Sequence, residues 1–281
     1  MDKTGLRAAF TAAGLSRLLK DIDYISKTAI RLSTTPVDES KLPIGASKLG
    51  GTPDLPTDIT WPEWKGLSQS FIAQIHLEDL YPYDTNHLLP QSGLLWFFYD
   101  AKQETYGDNP ADSGGWRVLF SDDTHLQHTP APATLPPSSR FKTCSINFSS
   151  EITLSQFPQL DIPNFDWKPE EQKKYEALLS TFPNPTEHAA IQDQLLGFPN
   201  TLQDDMRLQC QLISNGVTDP NDPLANALSQ GAKDWQLLLQ VDSDENAGMR
   251  WGDSGMLYYW IKASDLQART FNATWLVLQS E

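Results

Sequence analysis

Two glutamines lie inside apolar segments that have the length and composition of β-strands. Gln74 follows Phe71-Ile72-Ala73, and Gln240 follows Leu237-Leu238-Leu239. Because a primary amide that is buried without partners costs on the order of 1–3 kcal/mol, each side chain must find hydrogen bonds. Two interpretations are open. Each glutamine can hold backbone groups of the Gly/Pro loop in its own half of the chain, or both can face a shared cleft and bind a ligand or a peptide backbone.

An acidic segment from Asp242 to Asp253 has oxygen-bearing side chains at positions 1, 3, 5 and 12 of a would-be calcium loop. The pattern departs from that loop where calcium binding is most demanding. Position 6 is Ala247 where glycine is needed, position 9 is Arg250, and the final ligand is an aspartate instead of the longer glutamate. We therefore expect a hairpin connection here, and no metal site.

Trp61, Trp64 and Trp251 fall in Gly/Pro-rich connections instead of strands. Such side chains can pack over the core as lids, and large aromatic side chains are also favoured anchors at protein interfaces. The predicted binding residues are Trp61, Trp64, Gln74, Gln240, Trp251 and Asp253.

The sequence offers little for catalysis. It contains no Gly-x-Ser-x-Gly elbow, phosphate-binding loop, dinucleotide fingerprint or His-Glu-x-x-His helix. We predict no catalytic residue, no metal and no cofactor, which favours a protein without enzymatic activity but leaves the question open. The two cysteines, Cys144 and Cys210, are too few for a disulfide framework, so we expect reduced thiols and a cytoplasmic location.

The net charge of the chain indicates which classes of macromolecule it can bind. Its 36 acidic and 21 basic residues give a net charge of −15, and no basic cluster exceeds Lys173-Lys174. Nucleic-acid binding normally needs a basic face, so we expect no nucleic-acid partner. The sequence contains no run of 18 or more apolar residues, so it predicts no membrane-spanning helix. The acidity favours good solubility and can steer the chain toward a basic protein.

The hydrophobic pattern predicts short helices and strands in both halves of the chain. Helices are expected over 6–20, from Pro169 to Leu179, over 205–214 and between Asp222 and Gly231. Strands are expected over 28–33, 71–77, 94–99, 116–120, 143–148, 151–155, 235–241, 256–261 and 274–278.

Three sequence blocks recur in the same order in the two halves. Leu49-Gly50-Gly51-Thr52-Pro53 corresponds to Leu196-Gly197-Phe198-Pro199, and each is followed by an apolar strand with its glutamine and by a Ser-Gly turn into an aromatic strand. We therefore predict an α+β fold, an internal duplication of a β-rich repeat with mostly antiparallel strands and flanking short helices. Residues 1–281 would form one composite domain, with repeats at about 25–122 and 140–281 and a Pro-rich connection at about 129–139.

These blocks resemble the YwqG-like family of bacterial proteins. The resemblance rests on the segments Lys48 to Pro56 and Leu195 to Pro199, on Trp61-Pro62, on the two glutamine strands, and on Trp251 to Gly255. It implies a duplicated α+β fold without an assigned activity. A more distant resemblance to programmed cell death protein two implies a chaperone for a ribosomal protein, although this chain lacks the cysteine-rich zinc module. Some YwqG-like members lie beside polymorphic toxins, which implies an immunity role.

The leading functional hypothesis is a protein-binding module, chaperone-like or toxin-immunity-like, that contacts a basic protein partner through its acidic surface and loop tryptophans. The alternative is an enzyme or small-ligand-binding protein with its site in the cleft between the repeats. Gln74, Gln240 and Asp253 would then line that cleft.

Overall fold

The computed structural model describes residues 1–123 and 125–280, so Thr124 and Glu281 lie outside the described residues. Most of the strands belong to two similar sets, one in each half of the chain. In order they are β1 (Ser26–Pro36), β2 (Lys48–Leu49), β3 (Asp54–Pro56), β4 (Glu63–Trp64), β5 (Leu67–Ser68), β6 (Ser70–His76), β7 (Leu94–Tyr99), β8 (Trp116–Ser121), β9 (Leu126–His128), β10 (Cys144–Leu154), β11 (Gln194–Leu196), β12 (Trp235–Asp242), β13 (Met256–Lys262) and β14 (Trp275–Gln279).

The helices are short and lie at the ends of strands or in the connections. They are α1 (Lys3–Ala12), α2 (Ile22–Ile25), α3 (Leu77–Leu80), α4 (Pro158–Asp161), α5 (Glu171–Leu179), α6 (Pro185–His188), α7 (Arg207–Ile213), α8 (Pro223–Ser229) and α9 (Ala263–Gln267). Short 3-10 helices span Ser16–Lys20, Glu39–Lys41, Pro110–Asp112, Pro137–Ser139, Gln230–Asp234 and Phe271–Ala273. Within the described residues, no helix has the length and apolar character to cross a bilayer.

Within the described residues, the main sheet has ten antiparallel strands, in the order β14-β13-β12-β11-β1-β10-β2-β6-β7-β8. The two long strands β1 and β10 pair along their full length at its centre. Outward from this pair, β2, β6, β7 and β8 follow on one side, and β11, β12, β13 and β14 follow on the other. The sheet is therefore laid out symmetrically about its centre.

An irregularity in strand pairing repeats in both halves. The register of β6 against β7 shifts between Phe71 and Ala73, and the register of β12 against β13 shifts between Leu237 and Leu239. Each shift lies directly before the glutamine of its strand. A bulge at the same place in two strands is a feature that a duplicated unit inherits. It supports the predicted duplication independently of the sequence blocks.

The two halves of the sheet share one hydrophobic core, because the outer strands curl toward each other. The indole N–H of Trp116 on β8 donates to the carbonyl of Thr274, and the two rings of Trp116 and Trp275 lie 4.9 Å apart, edge to face. The approach is close at Gly107 (φ +77°), where a Cβ would overlap the carbonyl oxygen of Leu276. A single core built from both halves explains why the chain forms one composite domain.

The structure confirms the α+β class and most of the predicted strands, with two corrections. The predicted strands 143–148 and 151–155 are one continuous strand, β10, because its full-length pairing with β1 keeps the intervening polar residues extended. The predicted helix 6–20 ends at Ala12 and continues as a 3-10 helix from Ser16. Gly14 (φ +72°) adopts the left-handed conformation that ends helices. The repeat boundaries stay a prediction.

Candidate functional site

Gln74 is completely buried and binds the Gly/Pro loop of its own repeat. Its side-chain oxygen accepts the backbone N–H of Asp54 at 2.7 Å and the indole N–H of Trp96 at 2.9 Å. Its amide nitrogen donates to the Ala46 carbonyl at 2.9 Å and to the Asp54 carboxylate at 3.0 Å. Every hydrogen-bonding group of the amide is therefore used within the protein, as the structural interpretation requires.

Gln240 occupies the equivalent position in the second repeat. Its side-chain oxygen accepts the backbone N–H of Asn200 at 2.9 Å, and its amide nitrogen donates to the carbonyl of Gln192 at 2.5 Å. Asn200 follows Pro199 as Asp54 follows Pro53, so the same bond closes both loops. The two amides are thus directed at their own loops, and no shared ligand is needed to explain them.

The backbone of the two loops is also equivalent. Gly50 and Gly51 have φ angles of +65° and +74°, and the corresponding Leu196 and Gly197 have φ angles of +60° and +74°. A leucine in the left-handed region is strained by roughly 1–2 kcal/mol, which the surrounding structure must offset. Leu196 is buried in the shared core, and that burial supplies the compensation.

The first repeat carries a charged network where the second has neutral side chains. The ammonium of Lys48 lies 3.2 Å from both the Asp54 and the Glu39 carboxylates, and Lys48 and Asp54 are each only 2% exposed. Burial alone would raise the pKa of Asp54, but the N–H of Gly45, the Gln74 amide and the Lys48 ammonium together hold that pKa below its ordinary value. Asp54 is therefore an anion in the core of the loop.

The network reaches the surface at His128 and Thr52. His128 Nδ1 lies 3.4 Å from Asp54 Oδ1, and His128 Nε2 lies 3.1 Å from Thr52 Oγ1. The order hydroxyl, imidazole, carboxylate is that of a catalytic triad. However, the Thr52 hydroxyl donates to Glu39 at 3.0 Å, and the Thr52 N–H, which could stabilise an oxyanion, donates to the same carboxylate at 2.8 Å. The geometry thus clamps the loop instead of activating a nucleophile.

The second repeat has a buried carboxylate cluster where β11 begins and β12 ends. Asp193 and Asp244 are fully buried, and Asp242 lies beside them. Burial raises the pKa of Asp193 well above its ordinary value, and the neighbouring Asp242 and Asp244 carboxylates raise it further. Its Oδ1 accepts the N–H of Asp242 at 2.7 Å, but its Oδ2 has no partner among the described residues. A protonated Asp193 fits these surroundings.

The acidic segment does not gather its carboxylates around one point. Asp244 accepts the hydroxyl of Thr34 at 2.6 Å and the N–H of Asn246 at 2.7 Å, while Asp253 is exposed and paired with Arg250 at 2.8 Å. Within residues 1–123 and 125–280, no three His, Cys, Asp or Glu side chains are placed to hold a metal ion. Asp253 lies at the surface, away from both glutamines' hydrogen bonds.

The side chains of Trp251 and Trp61 pack against aromatic residues of the protein itself. Trp251 is fully buried between the rings of Tyr99 and Phe141, so it presents no surface to a partner. Trp61 lies edge to face on Phe98 at 5.6 Å, and its indole N–H donates to the Gln69 carbonyl.

Trp64 is also held by the protein and is partly exposed. It lies against Gly114, whose missing side chain leaves room for the indole, and Lys65 stacks on its ring at 4.9 Å. Trp61 and Trp64 therefore retain some accessible surface, whereas Trp251 has none.

Aromatic side chains fill the interface between the repeats. The rings of Phe97 and Tyr259 lie 5.2 Å apart, edge to face, and the Tyr259 hydroxyl donates to the Phe98 carbonyl at 3.1 Å. The Tyr99–Trp251 and Trp116–Trp275 pairs continue the same layer. The space that a cleft between the repeats would need is occupied by these side chains.

An open groove with an apolar wall lies on the second repeat, between α4, α7 and the 3-10 helix Gln230–Asp234. Its cavity volume is about 470 Å³, and it is open to solvent. Its apolar side chains are Phe157, Leu160, Leu208 and Ala232. Leu160 and Leu208 are 58% and 43% exposed, which is unusual for leucines that line a common concave surface. We call this feature the α4–α7 groove.

Some polar side chains of the α4–α7 groove already form ion pairs within the protein. Arg207 donates to Asp161 at 2.6 Å and is paired with Asp205 at 2.8 Å. Asp204 and Lys233 add charges of opposite sign at the rim. The groove therefore offers an apolar surface with a mixed polar edge, as protein-interaction sites do.

Sequence reasoning missed both the charged network and the groove. The network had a signal, because aligning the two repeats places Lys48 and Asp54 opposite Gln194 and Asn200. A charged pair that replaces a neutral pair inside a repeated loop marks a difference between the repeats. The groove had no comparable signal, since Leu160 and Leu208 come together only after α4 and α7 are placed.

These features define a duplicated α+β protein with one symmetrically arranged sheet, two loops clamped by glutamines and an open apolar groove. The family described as Domain of unknown function (DUF1963) matches residues 47–280, and the chain belongs to that family. A search of curated proteins finds no significant match.

Proposed function

We propose that this protein is a protein-binding module and that the α4–α7 groove is its contact surface. The observation that carries the proposal is the exposure of Leu160 and Leu208 in one apolar groove of about 470 Å³. Removing such side chains from water on binding contributes roughly 25 cal/mol per Å² of apolar area. Grooves of this kind accept the apolar face of a short partner segment.

The partner that we propose is a basic protein. The net charge of −15 attracts a cationic partner over a distance, and the attraction weakens as salt screens it. The apolar groove then supplies short-range affinity that salt does not weaken in the same way. A chaperone-like or toxin-neutralising role fits a module that captures a basic protein, and the identity of the captured protein separates the two roles.

A finer family assignment accompanies this proposal. We infer that the chain is a YwqG-like member of its family, because the loop from Lys48 to Pro53 and its counterpart from Gln194 to Pro199 have the same backbone conformation and the same glutamine clamp. Both cysteines are free and buried, which supports a cytoplasmic location.

The test is a comparison of groove and control variants as affinity baits. The groove variant is Leu160→Gln with Leu208→Gln, and the control is Leu224→Gln, because Leu224 is 60% exposed but lies on α8 outside the groove. Each bait is first checked for an unchanged melting temperature. Extracts are applied at about 50 mM and about 500 mM salt, and retained proteins are quantified by mass spectrometry.

We expect a basic protein that the wild type and Leu224→Gln retain at low salt and that the double groove variant loses. A photoreactive residue at position 208 should also cross-link to that protein, whereas the same residue at position 224 should not. If the groove variant retains the same proteins as the wild type, or the wild type retains none specifically, the proposal is wrong.

A further inference from the structure

We infer that a small recess beside the α4–α7 groove binds the C-terminal carboxylate of the partner segment, with Lys27 as the cation that recognises it. The recess has a cavity volume of about 20 Å³, and its walls include Phe157, Gly197, Trp235 and Trp260. We call it the Lys27 recess. The terminus that it holds belongs to the segment in the groove, so this role rests on the proposed function.

The Lys27 recess and the α4–α7 groove are neighbouring parts of one surface, because Phe157, Asp205 and Arg207 line both of them. The recess is narrow and has room for a group of only a few atoms. The groove, at about 470 Å³, has room for whole side chains. The surface therefore combines a small end that carries a cation with a wide apolar end.

The ammonium group of Lys27 has no ion pair among the residues that the structure describes, and it lies 4.5 Å from the centre of the Phe198 ring. The Asp161 and Asp205 carboxylates, which also act on it, are held by Arg207 at 2.6 and 2.8 Å. Although Lys27 keeps exposed surface, the protein around its ammonium excludes water, and this burial lowers its pKa below the ordinary value. An anionic ligand would compensate the lost hydration.

A second donor in the wall of the recess also lacks an acceptor. Trp260 is 2% exposed, and its indole N–H has no hydrogen-bond partner within the described part of the chain. Ammonium and indole groups are donors only, so neither can satisfy the other. A carboxylate offers two acceptor oxygens and a negative charge. The chemistry of the recess therefore favours a carboxylate over a neutral or cationic group.

A C-terminal residue fits this surface better than an internal acidic residue. In a C-terminal residue, the carboxylate and an apolar side chain are attached to the same carbon atom, so one can enter the recess while the other enters the adjoining groove. An internal aspartate or glutamate has its carboxylate in place of the apolar side chain. A partner that is basic overall still ends in a carboxylate, and capture of that group is a recurring mode of peptide recognition.

The test is an NMR titration of the complete protein with three small probes. N-acetyl-leucine mimics a C-terminal leucine, N-acetyl-leucinamide has the same side chain without the charge, and N-acetyl-aspartate α-amide presents a side-chain carboxylate. We expect N-acetyl-leucine to shift the indole N–H signal of Trp260, assigned with Trp260→Phe, with a dissociation constant of about 1–10 mM. The other two probes should bind roughly tenfold more weakly or less.

Lys27→Met should weaken the binding of N-acetyl-leucine by roughly tenfold or more. Lys262→Met is the matched control, because Lys262 also stacks its ammonium on an aromatic ring, that of Trp235 at 5.3 Å, but lies outside the recess lining described here. Melting temperatures establish that both variants fold. Equal shifts with N-acetyl-leucinamide, binding of the aspartate probe as tight as that of N-acetyl-leucine, no shift with any probe, or unchanged affinity in Lys27→Met would overturn the inference.

Binding of the probe and capture of a partner can fail separately. If N-acetyl-leucine binds through Lys27 but the affinity baits retain no protein, the carboxylate site stands and the protein-binding function is wrong. If a basic protein is retained through the α4–α7 groove but N-acetyl-leucine does not bind, the groove stands and the role of the Lys27 recess is wrong.

Discussion

Gln74 and Gln240 make the same bond in the two halves of the molecule: each side-chain oxygen accepts the backbone N–H of the residue that follows the loop proline, Asp54 or Asn200. The two glutamines thereby tie a strand of the sheet to the loop that precedes it. Because the bulge next to each glutamine is also repeated, the clamp is a property of the duplicated unit.

Gln74→Leu and Gln240→Leu should each lower the free energy of unfolding by about 1–3 kcal/mol, because each leaves buried loop groups without partners. The Gln74 change should cost more, since it also leaves the Trp96 indole N–H unpaired. The two losses should add, because the sites share no partner. Urea unfolding of both single variants and the double variant measures this, with the exposed Gln267→Leu as a control. Unchanged midpoints in both single variants would contradict the structural role.

Lys48→Gln should destabilise the protein by about 3–5 kcal/mol, because it leaves the buried Asp54 carboxylate without its cation. Adding Asp54→Asn copies the pair Gln194 and Asn200 of the second repeat and removes the uncompensated charge. We expect the double variant to be more stable than the single one, as measured by urea unfolding at neutral pH. A double variant no more stable than Lys48→Gln would show that the two side chains are not coupled.

Asp193→Asn should stabilise the protein near pH 7.5, because an amide cannot ionise and so avoids the cost of a buried carboxylate beside Asp242 and Asp244. Burial raises the pKa of Asp193 in the folded state, so its contribution is fully present below the unfolded pKa and is lost as pH rises through the folded pKa. The variant should therefore match the wild type near pH 4 and exceed it at higher pH. Denaturant unfolding across this range tests the sign, and a variant less stable than the wild type at pH 7.5 would contradict it.

Calcium at about 1 mM should leave the melting temperature unchanged, because an ion that binds only the folded state must raise it. Asp244 is committed to Thr34 and Asn246, and Asp253 is paired with Arg250, so the acidic segment lacks a converging set of oxygens. Differential scanning calorimetry with calcium and with magnesium measures this. A rise with calcium that Asp242→Ala abolishes would show that the segment is a metal site.

The apolar runs and their order determined much of the architecture. The segments 94–99 and 256–261 are strands in the structure as predicted, because continuous apolar runs of that length are stable only when both faces are covered. The repeated blocks also placed Gln74 and Gln240 in equivalent strands beside their own loops. These relationships join residues within one repeat, so local composition and spacing are enough to predict them.

Tertiary structure alone decided which of the singled-out side chains remain accessible. Trp251 and Trp61 both lie in Gly/Pro-rich connections, but Trp251 is enclosed by the rings of Tyr99 and Phe141, whereas Trp61 packs on Phe98 and stays partly exposed. The α4–α7 groove and the contact between His128 and Asp54 join residues that are far apart in the chain. The sequence determined which segments would pair and which loops would be clamped; the curling of the sheet decided what those segments cover, because burial depends on contacts between distant residues that no local pattern encodes.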